Sequence, residues 1–462
     1  MLLITLLHLS YFGMGLPLLR LLFKEKDYPS YLRYPISYFI GVFIHIIVIH
    51  VSIIAGSTSA LISWSLLMIG MIGLSWEIWS ASRLKSLKLS PVRSSKGKLA
   101  LNIGIFVLLI PVLYLITLKL AGLPDVGFDT TAIWNLKAKY FFYGEHQWAG
   151  SFLDTHRVHP HKNYPLYMPI FVFEHFSIIG VADDYLTKYG TWIYYSIGVI
   201  LYCLIIRQWT GTTIALLTIA FMLYSPLYSY RSLQGSITTT HIDFPLSLMI
   251  AASAGLLMRY QFFKNPVDIF SSAIFLASAV LQKREGIAWL MLFLLFALLA
   301  LVVERKKLWD KEYAWLALPV FFFLFWTLIK AFIPYEQTFP LPKLEELDKL
   351  LSAFPKIIVA WKDSILDVER WGLLPIFVIP FFIIGCLRNI REVSRLAPAF
   401  MVVGYLGAIF YVFMRADLQG EFEAWMRVTY HRLIIHILPL SLLLSVVMNS
   451  SKFTNGLFKN HS

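Results

Sequence analysis

Apolar residues run along this chain in blocks of about twenty, and the polar residues collect in the gaps between them. A block of that length matches a helix crossing the hydrocarbon core of a bilayer. Inside the blocks apolar and polar positions do not alternate, so the pattern predicts helices rather than barrel strands. In lipid the backbone must satisfy its own hydrogen bonds, which a helix does unaided. The predicted spans are 2–22, 34–54, 61–79, 99–119, 189–206, 212–230, 238–258, 267–281, 286–303, 313–332, 373–387, 396–414 and 433–447. The first block has no basic leader and no small-residue cleavage signal, so it is expected to remain as a span.

One further apolar run, 165–181, is short, is broken by Pro169 and carries Glu174 and His175. Its reading follows from charge. Short basic loops (Arg20 to Arg33, Arg83 to Lys98, Arg259 and Lys264, Arg305 to Lys311, Arg388 to Arg395) fall on one side only if this run does not cross. It is therefore expected to lie at the interface or re-enter. The prediction is an all-α, multi-pass membrane helical bundle of about 13 transmembrane helices, N-terminus outside and C-terminus cytoplasmic.

This layout gives N-terminal spans over 1–120 and a long extracytoplasmic loop with its interfacial segment over 121–182. Central spans follow over 183–333, extracytoplasmic surface helices over 334–371, and C-terminal spans over 372–462. The surface helices are suggested by the period of Leu344, Leu347, Leu350 and Leu351.

Composition agrees: 58% of residues are hydrophobic and only 15% charged, where a soluble domain carries about 25% charged residues. The formal charge of +13 sits in loop clusters that suit anionic lipid, which argues against nucleic acid. Cys203 and Cys386 lie in or beside apolar blocks and offer neither a disulfide framework nor a zinc site.

Four polar places could carry chemistry, all predicted on the outer side. Asp129 opens GFDTTAIWNLKAKYFF, followed by Trp134, Lys137 and Lys139. A carboxylate there can take a proton from a hydroxyl while lysines attract a phosphate; alternatively Asp129 caps the helix that follows. The same loop ends in HPHKNYPLYMPI, with His159 and Tyr164. His156, His159 and His161 with Asp154 are metal-ligating types, but Pro160 and the spacing favour a solvated cluster. Asp243, in HIDFPLSL, sits near the outer end of a span, as a functional group or as a carboxylate reaching interfacial water. Lys283, Arg284 and Glu285 form a tight turn in LQKREGIAW, either a phosphate holder or a polar hairpin tip. Arg432 lies at the mouth of the last span in HRLIIHILPL, after Arg427, and could equally be a snorkelling arginine.

Taken in order, these segments resemble the GT-C superfamily, the multi-spanning glycosyltransferases that use polyprenyl-phosphate-linked sugars, as the protein mannosyltransferases and aminoarabinose transferases do. The likeness runs from Asp125 to Pro439. GFDTTAIWNLKAKYFF resembles the family's first outer loop and HPHKNYPLYMPI the His-Pro…Tyr-Pro-Leu segment closing it. HIDFPLSL is similar to the Asp-x-Pro-Leu stretch, LQKREGIAW to the Lys-Asn-Glu-Gly turn with Arg284 for Asn, and HRLIIHILPL to the Arg-Leu…Leu-Pro ending.

The resemblance implies an inverting transferase at the extracytoplasmic face of the plasma (inner) membrane. Asp129 would be the general base on an acceptor hydroxyl, whether glycan, lipid or protein. Lys283, Arg284 and Arg432 would hold the departing phosphate, and Asp243 would line the cavity. Lys137, His159, Tyr164 and Glu285 complete the expected substrate-binding set, and 334–371 would roof it. The chain departs from the family in having Asp129-Thr130 where protein mannosyltransferases have Asp-Glu, and in three extra N-terminal spans. With no second acid beside Asp129, a divalent metal is left open and no metal ligand is assigned. The competing expectations are a surface-polysaccharide polymerase or ligase, and a transporter or lipid flippase; the latter calls for charged residues deep in the spans.

Overall fold

The structure is a computed structural model that describes residues 1–23, 28–57, 59–83, 96–122, 129–144, 164–225, 242–303, 311–333, 352–390, 393–418 and 420–455. Among these residues there are helices and short turns and no strand. The first helices are α1 (Leu2–Phe23), α2 (Ser30–Ile54), α3 (Ser59–Arg83) and α4 (Lys96–Gly122). A wide π-helical turn, Asp129–Asn135, leads into α5 (Leu136–Tyr143), and α6 (Tyr167–Ile179) follows. Next come α7 (Asp184–Thr210), α8 (Thr212–Leu223), α9 (Asp243–Phe263), α10 (Pro266–Gln282), α11 (Glu285–Val303) and α12 (Ala317–Ala331). The C-terminal part holds α13 (Phe354–Ile365), α14 (Leu374–Arg388), α15 (Val393–Leu418), α16 (Phe422–Val428) and α17 (Tyr430–Val447).

Nine helices among the described residues are long and apolar enough to cross a membrane, and five shorter apolar helices accompany them. The chain is thus an all-helical, multi-pass membrane protein. Large apolar side chains point outward from α3, α4, α12 and α14, for example Ile72, Phe106, Leu328 and Phe381. A surface so apolar is suited to lipid rather than water.

The first three helices pack through small residues. A methyl on Gly13 would overlap the Gly70 carbonyl, and one on Gly41 the Tyr11 carbonyl, so α1 lies backbone to backbone against α3 and α2. Close packing of this kind replaces the hydrophobic effect, which does not act between helices in lipid. The helices α9, α10 and α17 are buried at the centre with α2 and α7 around them.

Helix α6, the run expected at the interface or re-entering, is buried from Tyr167 to Ile178 by α1, α2, α3, α5, α7 and α10. Its 13 residues reach only about 20 Å, so it fills the bundle without crossing a bilayer by itself. Expected helix positions over 344–351 lie outside the described residues. Cys203 and Cys386 are free and pack against the core.

One end of the bundle gathers basic groups. Arg20 pairs with Glu77 at 2.7 Å, Arg207 lies over the Tyr31 ring, and Asp268 accepts from Arg259 and from the Tyr28 hydroxyl.

Candidate functional site

At the other end, Asp243 is the first residue of α9 and is fully buried. The helix N-terminus favours a negative charge there, but three side chains from two other parts of the chain hold it. Lys283 Nζ donates to Oδ1 at 2.7 Å, and Arg432 Nε donates to Oδ2 at 2.8 Å. His436 Nε2 lies 2.9 Å from Oδ1. The Tyr405 hydroxyl and His436 Nδ1 are 2.9 Å apart, and Tyr405 stacks on Trp289 at 4.4 Å.

The turn bearing Lys283 is shaped locally. Lys283 is extended and ends α10, and the amides of Gly286 and Ile287 close back on the carbonyls of Lys283 and Arg284. Position 286 must be glycine, because a methyl there would overlap the Ala279 carbonyl. Glu285 then opens α11 and reaches Lys283 at 3.0 Å. The desolvation of Lys283 is outweighed by the charges of Asp243 and Glu285, which raise its pKa above the ordinary lysine value.

The long loop meets this turn. The Arg284 guanidinium lies 5.0 Å over the Tyr164 ring, and Lys137 Nζ lies 6.0 Å from the same ring and 5.7 Å from that of Trp134. Trp134 stacks on Tyr164 at 5.8 Å. Such cation–π contacts are worth about 2 kcal/mol when desolvated. Tyr164 also feels Glu285, Lys283 and Arg432; burial, the largest influence, raises its phenol pKa. Lys137 is fully buried. Burial first, and the charge of Arg284 second, lower its ammonium to about 7. Among the described residues Lys137, Lys283, Arg284 and Arg432 gather around Tyr164, Asp243 and Glu285, and a cluster of basic side chains out of bulk water suits an anionic ligand.

The cluster is recessed. Gln282 Nε2 donates to the Tyr194 hydroxyl at 3.3 Å, and Tyr194 is about 15 Å along α7 from its start. Tyr405 is about 20 Å back from the end of α15. Over the top, Trp361 of α13 packs on Phe410 and on Tyr430, the residue that starts α17.

Seven expected residues therefore come together: Lys137, Tyr164, Asp243, Lys283, Arg284, Glu285 and Arg432. Asp129 begins the π-helical turn two residues before Thr131, but its side chain lies outside what the structure describes. His159, with His156, His161 and Asp154, lies outside the described residues. Lys139 belongs elsewhere: its amine pairs with Asp184 at 2.7 Å, because Asp184 opens α7 beside α5. The sequence reading passed over His436 and Tyr405. His436 was findable, being four residues after Arg432 on the same helix face; Tyr405 has no local signal.

Among the described residues no three His, Cys, Asp or Glu side chains group as a metal site. No family model, no curated protein and no solved structure matches this chain.

Proposed function

We propose that this chain is a GT-C-type membrane glycosyltransferase, moving a sugar from a polyprenyl-phosphate donor to an acceptor hydroxyl at the extracytoplasmic face. The observation that carries the reading is the convergence on one recessed end of Lys283, Arg432 and His436 around Asp243, with Lys137 and Arg284 on Tyr164. A lipid-linked phosphate sits at headgroup depth, and its departure as an anion is the step at which charge develops. Cations held in place before the reaction stabilise that charge without reorganising. Arg284 and Lys137, which both lie against the Tyr164 ring, are the contacts we assign to the phosphate. Asp243 is a holder of the cations rather than a group that touches sugar.

In this reading about 13 helices cross the plasma membrane, with the basic end cytoplasmic and the N-terminus outside. Asp129, in the loop that carries Lys137, takes the proton from the acceptor as it attacks the anomeric carbon. Polyprenyl phosphate leaves from the opposite side, and configuration inverts.

The test is transfer of labelled sugar from a polyprenyl-phosphate donor in membrane vesicles. Asp129→Asn should reduce the rate by about 100-fold or more, the usual contribution of a general base. Transfer at the wild-type rate by this variant rejects the base assignment, and no covalent product from the wild type rejects the transferase.

Transport is the second reading, and one feature favours it. Glu174, His45, His8 and His175 are buried among α1, α2 and α6, giving ionisable groups inside the bundle of the kind transporters use. Lipid-linked substrate crossing the bilayer unchanged would decide for it.

A further inference from the structure

The buried polar group in the N-terminal helices has no part in the transfer chemistry. Glu174 of α6 is completely buried; its Oε2 accepts from the Tyr11 hydroxyl at 2.9 Å, and its Oε1 lies 2.7 Å from His45 Nδ1. His45 is about 13 Å back from the end of α2, and His8 about 9 Å from the start of α1. The group therefore lies well inside a hydrocarbon layer of about 30 Å.

A second chain of bonds lies beside it, and donor and acceptor logic fixes its direction. His175 Nδ1 is 2.7 Å from the Phe171 carbonyl, which only accepts, so that nitrogen carries the hydrogen. In neutral His175, Nε2 is then the acceptor, and His8 Nε2, 3.1 Å away, must donate to it. His8 Nδ1 is left as the acceptor for the Tyr38 hydroxyl at 2.6 Å. Every polar atom of this chain is used. Gly190 makes it fit, because a methyl there would overlap the His175 imidazole.

The Glu174–His45 pair differs. His45 Nε2 is buried and has no hydrogen-bond partner among the described residues. If Nδ1–H donates to a carboxylate, Nε2 is a bare lone pair and the pair carries one negative charge. One added proton, on Nε2 or on the carboxyl, makes the pair neutral overall.

Among the described residues, Glu174 pairs with His45 and no cation from the surrounding helices is bonded to it. On α1 and α2 the neighbours are His8, Tyr11 and Tyr38, and on α6 Tyr167 and His175. On α7 Tyr194 is near, while Lys188 is directed to the Lys119 carbonyl. On α5 Lys137 faces Trp134 and Tyr164, and Lys139 holds Asp184. Helix α10 offers Gln282 and Ser278. The ionisable residues of α3, Glu77 and Arg83, lie at its far end, where Glu77 pairs with Arg20.

We infer that Glu174 and His45, with Tyr11, form an intramembrane binding site for a single exchangeable proton. This does not rest on the transferase reading. The probe is the proton itself, followed by infrared difference spectroscopy of the full-length protein in lipid nanodiscs, from mildly acidic to mildly alkaline buffer. The wild type should show a carboxylic C=O band that is absent from Glu174→Gln and retained in Glu423→Gln, which alters an exposed acid. Tyr11→Phe keeps the acid and removes one donor to its charged form. It should change the frequency of the band, because the hydrogen bond from the Tyr11 hydroxyl to Oε2 is lost. No carboxylic band in the wild type, a band unchanged in Glu174→Gln, or a frequency unmoved in a folded Tyr11→Phe overturns the site.

Discussion

Lys137 is the residue on which pH dependence should turn. Its ammonium is lowered to about 7, mainly by burial and then by Arg284, whereas in an unfolded chain it titrates near 10.5. Below about pH 7 both states are charged and the cost of burying the cation is fully present; above it the native state sheds the proton and the unfolded state does not. Stability should therefore rise between about pH 7 and the ordinary lysine value, and Lys137→Met should abolish that rise in chemical denaturation followed across pH. Anion affinity should run the other way. Under the proposed function, polyprenyl phosphate binding should weaken by up to about tenfold per unit above pH 7, and Lys137→Arg should flatten the profile. Asp243 makes a second case. Asp243→Ala leaves Lys283, Arg432 and His436 without their common acceptor, and removal of one partner from a buried ion pair costs about 3–5 kcal/mol. Thermal unfolding in detergent should register a marked loss, smaller for Asp243→Asn, which keeps a hydrogen-bond acceptor.

The turn between α10 and α11 and the cover helix α13 decide how the site is held. Gly286→Ala forces the turn away from the Ala279 carbonyl, and overpacking of this kind costs about 1–3 kcal/mol. It should lower transfer far more than it lowers the melting temperature, since Lys283, Arg284 and Glu285 shift together. Helix α13 is amphipathic with only Ile357 buried along its length, and Trp361 is its link to Tyr430. Trp361→Ala should raise the apparent KM for the lipid donor with little change in stability, measured in the same vesicles. The apolar blocks were readable as helices, most with ends close to those predicted, although the block 212–230 is helical only over Thr212–Leu223 and the block 238–258 becomes Asp243–Phe263. What each helix faces was not readable, because α9, α10 and α17 are buried along most of their length and periodicity is silent for such helices.

For the whole molecule, the pairing of basic ends predicts sidedness. A cysteine placed at the exposed Glu423 should react with an impermeant maleimide from outside the cell, and one at Arg388 only after permeabilisation. The reverse pattern would invert the topology and remove the external site with it. Tertiary packing also creates what the linear reading did not find, ionisable groups deep in the spans. His8 and His45 lie in apolar stretches far from the Glu174-His175 pair, and only the burial of α6 among α1 and α2 brings them together.

The sequence alone determined the solvent and the secondary structure. Apolar blocks of bilayer length without strand alternation satisfy their backbone in lipid as helices, and a helix does so locally, without help from distant residues. It also marked which charges stand near helix ends. Which of those ends meet was decided by the tertiary structure, because an ion pair such as Lys283 with Asp243, or Arg432 with Asp243, joins residues whose separation along the chain carries no trace of contact. The short α6 is the clearest instance: the charge pattern of the loops left it at the interface or re-entering, and packing against six other helices buries it.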